Sequence, residues 1–278
     1  MGTKTKSHTE FLRDPDLPFL EARDSRLSGR PFGMHSHGTC SVAVVGEGST
    51  MMWCRGGEWL VKPGAVVFLP PGEPHACNPG PGAVRAYRMF YFERSWFEDS
   101  LDRLGPAGKL DPATPAILDD EAVAEAFLAF GEALSAGAPA SEKLRLLNEA
   151  LRMLLESRAV LHLDGGQPRA DHRAARLAAR RIAESPAGRI TLAELAACCG
   201  VTPCHLTRIF RRAHGMTPHA YQNQLRVELA KKLLAAGTPI AETAAEAGFT
   251  DQSHLNRVFR RYAGATPRQY MLGSRRPV

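Results

Sequence analysis

Apolar positions follow three different rhythms along the chain. Between Gly29 and Phe92 the runs are short (Ser41–Val45, Trp59–Val61, Val66–Leu69, Arg88–Phe92). They are cut by Gly46-Glu47-Gly48, Pro63-Gly64, Pro70-Pro71-Gly72 and Pro79-Gly80-Pro81-Gly82. Closely spaced short strands with turn signals predict a β-sandwich or barrel. From Asp119 to Leu161 the rhythm becomes helical. Ala122, Ala126, Phe127 and Phe130 share one face, and Leu144, Leu147, Leu151 and Leu154 keep the 3-4-3 spacing of a helix–helix seam. That seam predicts a homodimer surface with the four leucines as its core. Residues 1–28 are polar and aperiodic and predict an N-terminal arm with a short strand, while HLDGGQPRAD at 162–171 reads as a linker. The expected divisions are therefore an arm (1–28), a β-rich part (29–118), a helical segment (119–161), the linker (162–171) and a helical domain (172–278). This is a multi-domain α+β chain.

The last third contains a repeat. Ala193, Glu194, Ala196, Ala197, Gly200 and Thr202 recur as Ala241, Glu242, Ala244, Ala245, Gly248 and Thr250. After one extra residue, His205, Leu206, Arg208, Phe210, Arg211, Arg212, Gly215, Thr217, Pro218 and Tyr221 recur as His254, Leu255, Arg257, Phe259, Arg260, Arg261, Gly264, Thr266, Pro267 and Tyr270. Each copy reads as a short helix, a glycine turn and an amphipathic helix, which is a helix-turn-helix pattern. Gly200 and Gly248 fall where the first helix ends, and Thr202 and Thr250 are placed to cap the second. Leu206, Ile209, Phe210 and Ala213 form a buried stripe in one copy, and Leu255, Val258, Phe259 and Tyr262 in the other. The open faces carry Cys204, Thr207, Arg208, Arg211 and Arg212, then Ser253, Asn256, Arg257, Arg260 and Arg261. Such faces hold the donors that read base edges in a major groove, with the later arginines suited to phosphates. Pro218 to Ala236 predicts one connecting helix of about 28 Å at ~1.5 Å per residue, near the ~34 Å between successive major-groove faces. Leu225, Leu229, Leu233 and Leu234 would pack it against both copies.

Charge follows the same division. The chain carries 35 Lys+Arg against 29 Asp+Glu, a net of +6. Residues 172–278 hold 17 Lys+Arg against 6 Asp+Glu, or +11, leaving 18 against 23, or −5, for residues 1–171. A basic third on an acidic remainder points to a polyanion-binding module joined to something else.

The stretch ITLAELAACCGVTPCHLTRIFRRAHGMTPHAY, the connecting helix and AAEAGFTDQSHLNRVFRRYAGATPRQY resemble the DNA-binding domain of the AraC/XylS family of bacterial transcription regulators. The resemblance spans about the last 100 residues. It implies a double helix-turn-helix domain on double-stranded operator or promoter DNA, with base-reading roles for Cys204, Thr207 and Arg208 and for Gln252, Ser253, Asn256 and Arg257. It also implies a regulator, an activator among the options, with RNA polymerase as a further partner.

Two earlier segments resemble cupin barrel motifs. Gly29 precedes His35-Ser36-His37, and Gly64, Pro70, Gly72 and His75 fit G-x5-P-x-G-x2-H. Neither Ser41 nor Val42 is the glutamate a cupin metal site normally adds. AraC/XylS regulators commonly carry such a barrel for effector binding, so residues 29–118 are expected to be a cupin-like barrel that senses a small molecule. Its candidate lining residues are His35, His37, Trp53, His75 and Tyr87, with Trp59 and Tyr91 as further aromatic candidates. No cofactor is expected. The alternative is a metal-dependent cupin sensor or enzyme fused to a DNA-binding domain. There His35, His37 and His75 would hold a divalent ion, with water or a thiol from Cys40, Cys54 or Cys77 as the fourth ligand. The leading reading is not an enzyme, since no Ser/His/Asp set, phosphate loop or coherent carboxylate pair is present. With no apolar run of 18 residues and a polar MGTKTKSHTE start, the expected location is the cytoplasm, away from membranes, and the six cysteines are expected to be free thiols.

Overall fold

The computed structural model describes residues 8–28, 31–80, 83–105, 110–163 and 173–273, and the chain divides into two compact units. The N-terminal unit runs β1 (His8–Arg13), β2 (Leu20–Ser28), β3 (Cys40–Glu47), β4 (Thr50–Cys54), β5 (Gly57–Val61), β6 (Val66–Leu69), β7 (His75–Pro79), β8 (Arg85–Phe92), α1 (Arg94–Leu104), β9 (Ala116–Leu118), α2 (Glu121–Ala136), α3 (Ala140–Glu156) and β10 (Val160–His162). Among the described residues the strands form a seven-stranded sheet in the order β1-β2-β8-β3-β6-β9-β10 and a three-stranded sheet in the order β5-β4-β7. The expected barrel is thus two sheets without closure.

Both faces of the large sheet are covered, which is why β3 is buried at six successive positions and reads as a continuous apolar run. Cys40, Val42 and Val44 join Phe68, Phe90, Phe92, Phe127 and Phe130 in the core beneath α2 and α3. Ala43 and Val45 join Val67, Leu69, Tyr87, Met89 and Tyr91 in the core shared with Met52, Cys54 and Val61 of the small sheet. Phe90 anchors the helical side, its ring centroid 5.5 Å from that of Phe127 and 5.4 Å from that of Phe130.

Two expectations fail here. Residues 8–28 are not an arm: β1 and β2 pair in register from His8↔Arg26 to Arg13↔Glu21 and belong to the sheet. Their polar side chains misled the pattern, because an edge strand satisfies its backbone whatever its exposed face carries. Buried Lys143 of α3 ties down the turn between them, donating to Asp14 at 2.7 Å and Asp16 at 2.8 Å. Nor is the leucine seam an open dimer surface. Leu147, Leu151 and Leu154 lie fully inside the core of their own unit, and only Leu144, at 36%, is exposed. A 3-4-3 stripe records that a helix packs on something, and here the partner is α2 and the sheet. The boundaries move accordingly, since β10 pairs with β9 and brings 160–162 back into the β-rich part. Most of the expected linker, 164–171, lies outside the described residues, as does Gly29.

The C-terminal unit is all helix: α4 (Arg173–Glu184), α5 (Leu192–Cys198), α6 (Pro203–His214), α7 (Pro218–Ala235), α8 (Ile240–Glu246), α9 (Gln252–Ala263) and α10 (Pro267–Gly273). The repeat appears as α5–α6 and α8–α9. Gly200 and Gly248 both take left-handed φ values, 68° and 79°, as the turn demands. Thr202 caps α6, accepting from the His205 amide at 3.3 Å. In the second copy the cap is Asp251, accepting from the His254 amide at 2.7 Å. The one extra residue there shifts the cap off Thr250.

Helix α7 differs from a plain spacer. Its leucines 225, 229 and 233 are half-buried and Leu234 is buried, but Gln222, Asn223, Gln224 and Arg226 are buried as well. Arg226 donates to the Pro186 carbonyl at 2.8 Å and to that of Gly188 at 3.0 Å, and Gln222 reaches the same two oxygens. The Tyr262 hydroxyl of α9 donates to the Ala220 carbonyl at 3.0 Å. One helix thereby braces the α4–α5 loop and the second repeat.

Candidate functional site

Helices α6 and α9 bury the stripes expected of them. Leu206, Ile209 and Phe210 are buried in α6 with Ala213 half-buried, and Leu255, Val258, Phe259 and Tyr262 are buried in α9. The opposite faces are left outside. Cys204, Arg208, Arg211 and Arg212 are exposed on α6; Gln252, Ser253, Arg257, Arg260 and Arg261 are exposed on α9. Thr207 and Asn256 are half-buried. Two of these side chains have local commitments that spacing alone does not reveal. The Thr207 hydroxyl donates to the Pro203 carbonyl at 3.0 Å, and Arg208 Nη2 lies 2.9 Å from His205 Nδ1, which accepts from it. His205 therefore holds Arg208 along the helix before any ligand arrives. The repeat showed this histidine at matching places, 205 and 254, but assigned it no part. The copies differ here, since His254 Nδ1 instead accepts from the Thr250 amide at 3.4 Å. Among the described residues Asn256 Oδ1 has no hydrogen-bond partner.

These features suit an extended polyanion. Both helices carry Arg on the outward face and expose small or polar side chains near the start, Cys204 on α6 and Gln252 and Ser253 on α9, where a helix in the major groove meets bases.

His35 and His75 form an isolated antiparallel bridge, with His35 N to His75 O at 3.0 Å and His75 N to His35 O at 2.8 Å. Their ring centroids are 4.4 Å apart. His37 sets its ring edge-on to Tyr91 at 5.0 Å, and its carbonyl accepts from the Gly72 amide at 2.7 Å. His35, His37 and His75 are all buried. His35 Nδ1 donates to the Gly33 carbonyl at 2.7 Å, which leaves Nε2 as the acceptor nitrogen.

The other candidates divide by face. Tyr87, Tyr91 and Trp59 pack in the core between the sheets. Trp53 does not, because β4 turns Thr50, Met52 and Cys54 inward and Met51 and Trp53 outward. The proposed thiol ligands also separate. Cys40 belongs to the core under the helices, on the far face of the sheet. Burial, reinforced by the negative charge of Glu73, pushes the Cys54 thiol up to about 12, so it stays protonated near neutrality.

Paired helix-turn-helix units with matching basic faces, in one chain with a two-sheet unit whose polar groups turn inward, define a DNA-binding transcription regulator with a ligand-binding domain. Comparison with known proteins makes this specific. Residues 18–155 match the model of the AraC-like ligand binding domain, and residues 195–272 that of a helix-turn-helix domain. The chain belongs to the AraC family. It is 29% identical over 230 residues to the arabinose operon regulatory protein of Salmonella typhimurium, covering 80% of this chain and 79% of that one. It is 25% identical over 238 residues to YbfI, an uncharacterized HTH-type transcriptional regulator of Bacillus subtilis, covering 85% and 86%. Apo ToxT from Vibrio cholerae shares the fold, with a TM-score of 0.56 at 11% identity over 97% of each chain. Among the described residues no helix is long and apolar enough to cross a membrane.

Proposed function

We propose that this chain is a sequence-specific regulator in which α6 and α9 enter successive major-groove segments of operator DNA, and in which a small molecule held between the two sheets of the N-terminal unit changes DNA affinity. Cys204, Thr207, Arg208, Gln252, Ser253, Asn256 and Arg257 read bases; Arg211, Arg212, Arg260 and Arg261 hold phosphates. The observation that carries this reading is the matched outward Arg pattern on two helices of one rigid repeat. The relatives' names support a regulatory rather than catalytic role. The reading extends to a cytoplasmic homodimer acting on RNA polymerase, with dimer contacts supplied by a surface other than Leu147, Leu151 and Leu154.

The test begins with duplexes selected from a random pool by the full-length protein. Binding to a selected duplex should fall steeply with salt. Arg208→Ala and Arg257→Ala should each cost about 1–3 kcal/mol of specific affinity. Unchanged affinity in both variants would remove the groove assignment.

The buried histidines, His35 with its Nδ1 held by a carbonyl, favour a second reading, in which the ligand is a divalent metal. Imidazole ligands suit zinc, with water completing the coordination. Stoichiometric zinc uptake that is lost in the His35→Ala/His75→Ala variant would support it; uptake unaffected by that variant would end it.

A further inference from the structure

The helix-covered face of the large sheet runs on past the helices. Ala22, Val42, Val44 and Phe90 pack under α2 and α3. Asp24, Arg88 and Val44 stand side by side in register, and Arg26, Ala86 and Gly46 follow two residues further along the same strands. Beside Leu128 of α2 this end of the face opens into a cleft of about 490 Å³, lined by Asp24, Arg26, Glu47, Ala86, Arg88 and Leu128 among others. Small-molecule sites run to ~300–1,000 Å³. The other face of these strands is closed at this level. Arg23, Arg85 and Tyr87 are all buried there, with the two guanidinium carbons 5.4 Å and 4.8 Å from the Tyr87 ring centroid.

Two glycines shape the cleft. Gly131 of α2 makes room for the Arg88 side chain, which a Cβ there would run into. Gly46 answers no such need. A Cβ on it would meet Ala86 only at ordinary contact, 3.6 Å from the carbonyl oxygen and 4.0 Å from Cβ. The β3 register shifts between Val45 and Glu47, but a bulge demands glycine only where φ is left-handed, and Gly46 is not among the positive-φ glycines. Glycine weakens a strand and marks a place where something approaches its backbone closely. Here it keeps the floor beside Ala86 open.

Charge is divided across the opening. Arg88 donates to Asp24 Oδ2 at 2.9 Å and to the Leu128 carbonyl at 3.4 Å. Arg26 lies 3.7 Å from the same Asp24 oxygen, its side chain 68% exposed. One carboxylate thus serves two guanidiniums, and the β2–β8 side keeps a surplus positive charge. Glu47 on β3 has no ion pair among the described residues, so that side keeps a surplus negative charge. Strand β8 runs between them, which sets the Arg26 and Glu47 backbones two strand spacings, roughly 10 Å, apart. A monoanion would be repelled by Glu47 and a monocation by Arg26. A molecule carrying both charges gains a charge-assisted hydrogen bond at each end.

We propose that this cleft binds a small zwitterion of the α-amino-acid type, its carboxylate toward Arg26 and its ammonium toward Glu47, with Val44 and Leu128 against its apolar part. The site lies on the opposite face of the large sheet from the space between the sheets, so it stands apart from the effector placement above.

The experiment uses full-length protein without DNA. Each of the twenty amino acids is added at about 10 mM, enough to fill a site with a dissociation constant near 1 mM, and the shift in melting temperature is read. Titration calorimetry then compares the best binder with its carboxamide, which lacks the negative end, and its deamino acid, which lacks the positive end. Both analogues should bind at least tenfold more weakly. Glu47→Gln should weaken the amino acid fivefold or more and leave the deamino acid unchanged; Arg26→Gln should weaken the amino acid equally and leave the carboxamide unchanged. Gly46→Val should fill the floor and abolish binding, while Glu58→Gln on the small sheet should keep it. Near-ultraviolet circular dichroism confirms that each variant is folded. The proposal is overturned if no amino acid binds the wild type, or if either analogue binds as tightly as its parent, whether or not the variants fold. It is equally overturned if full affinity survives in folded Glu47→Gln and Arg26→Gln, or is lost in Glu58→Gln.

Discussion

Replacing Asp251 by alanine tests the second reading head most directly. Its Oδ1 accepts the His254 amide at 2.7 Å from an extended residue, φ −162° and ψ 175°. Losing a capping acceptor costs about 0.5–2 kcal/mol. The carboxylate also faces the positive end of the α9 dipole, worth roughly 0.3–1 kcal/mol more at an exposed site. The sum is near 1.5 kcal/mol. For a domain of ~60–100 residues, each kcal/mol moves the melting point by about 4–8 °C, so Asp251→Ala should lower the helical transition by about 6–12 °C. Thr250 meets only the His254 ring through its hydroxyl, at 3.3 Å, and Thr250→Ala should cost less than about 0.5 kcal/mol. Circular dichroism melting of the full-length variants measures both. If Thr250→Ala costs as much as Asp251→Ala, the capping argument is wrong and the direct parallel with Thr202 stands instead.

Three other outcomes follow from the structure. The turn glycines match in sequence but not in surroundings. A Cβ on Gly200 meets nothing within 4 Å, whereas one on Gly248 would run into the Ala187 backbone at its carbonyl oxygen. Gly200→Ala should therefore cost only the left-handed strain of about 1–2 kcal/mol, and Gly248→Ala should cost more than twice as much in urea unfolding. Leu151→Ala should destabilise the N-terminal unit by about 2–5 kcal/mol, seen as early unfolding, and should leave the oligomeric state of the folded protein unchanged in ultracentrifugation. Burial raises the Cys40 and Cys54 thiols to about 12, so both are thiol rather than thiolate at pH 8. Iodoacetamide should modify exposed Cys198 and Cys204 and spare the buried pair, as read by peptide mass mapping; early loss of Cys54 would refute its protonated state.

The repeat was the most legible part of the chain, because it compares the sequence with itself. Leu206 and Leu255, Phe210 and Phe259, and the outward arginines occupy the places their spacing required. What spacing could not supply was the partner of an apolar stripe. The seam of Leu147, Leu151 and Leu154 looks the same whether it meets a second copy or the chain's own sheet. Strand alternation failed for Trp53 for a related reason: in a unit with two stacked sheets, an aromatic residue signals one face of a strand without saying which face looks inward. The arginines 23 and 85 were invisible as a pair because 62 residues separate them, and only the register of β2 on β8 brings them to one ring. Arg226 and Gln222 were passed over because a polar residue on a basic helix reads as surface. Their burial against the Pro186 and Gly188 carbonyls became visible only once the loop was in place.

That brace on α7 also constrains the DNA this protein can use. Under the proposed groove assignment, a helix of eighteen residues, held along its first half by the Pro186–Gly188 loop and by Tyr262 of α9, would fix the phase between α6 and α9. Two flexible domains could accept half-sites at varied separations; this pair should accept one. Five base pairs inserted between the two contacted segments would carry the second to the opposite side of the duplex, beyond the reach of α9. The stiffness of one helix would then act as a ruler for promoters: mutation could change the letters within each segment, but the distance between them would be held constant.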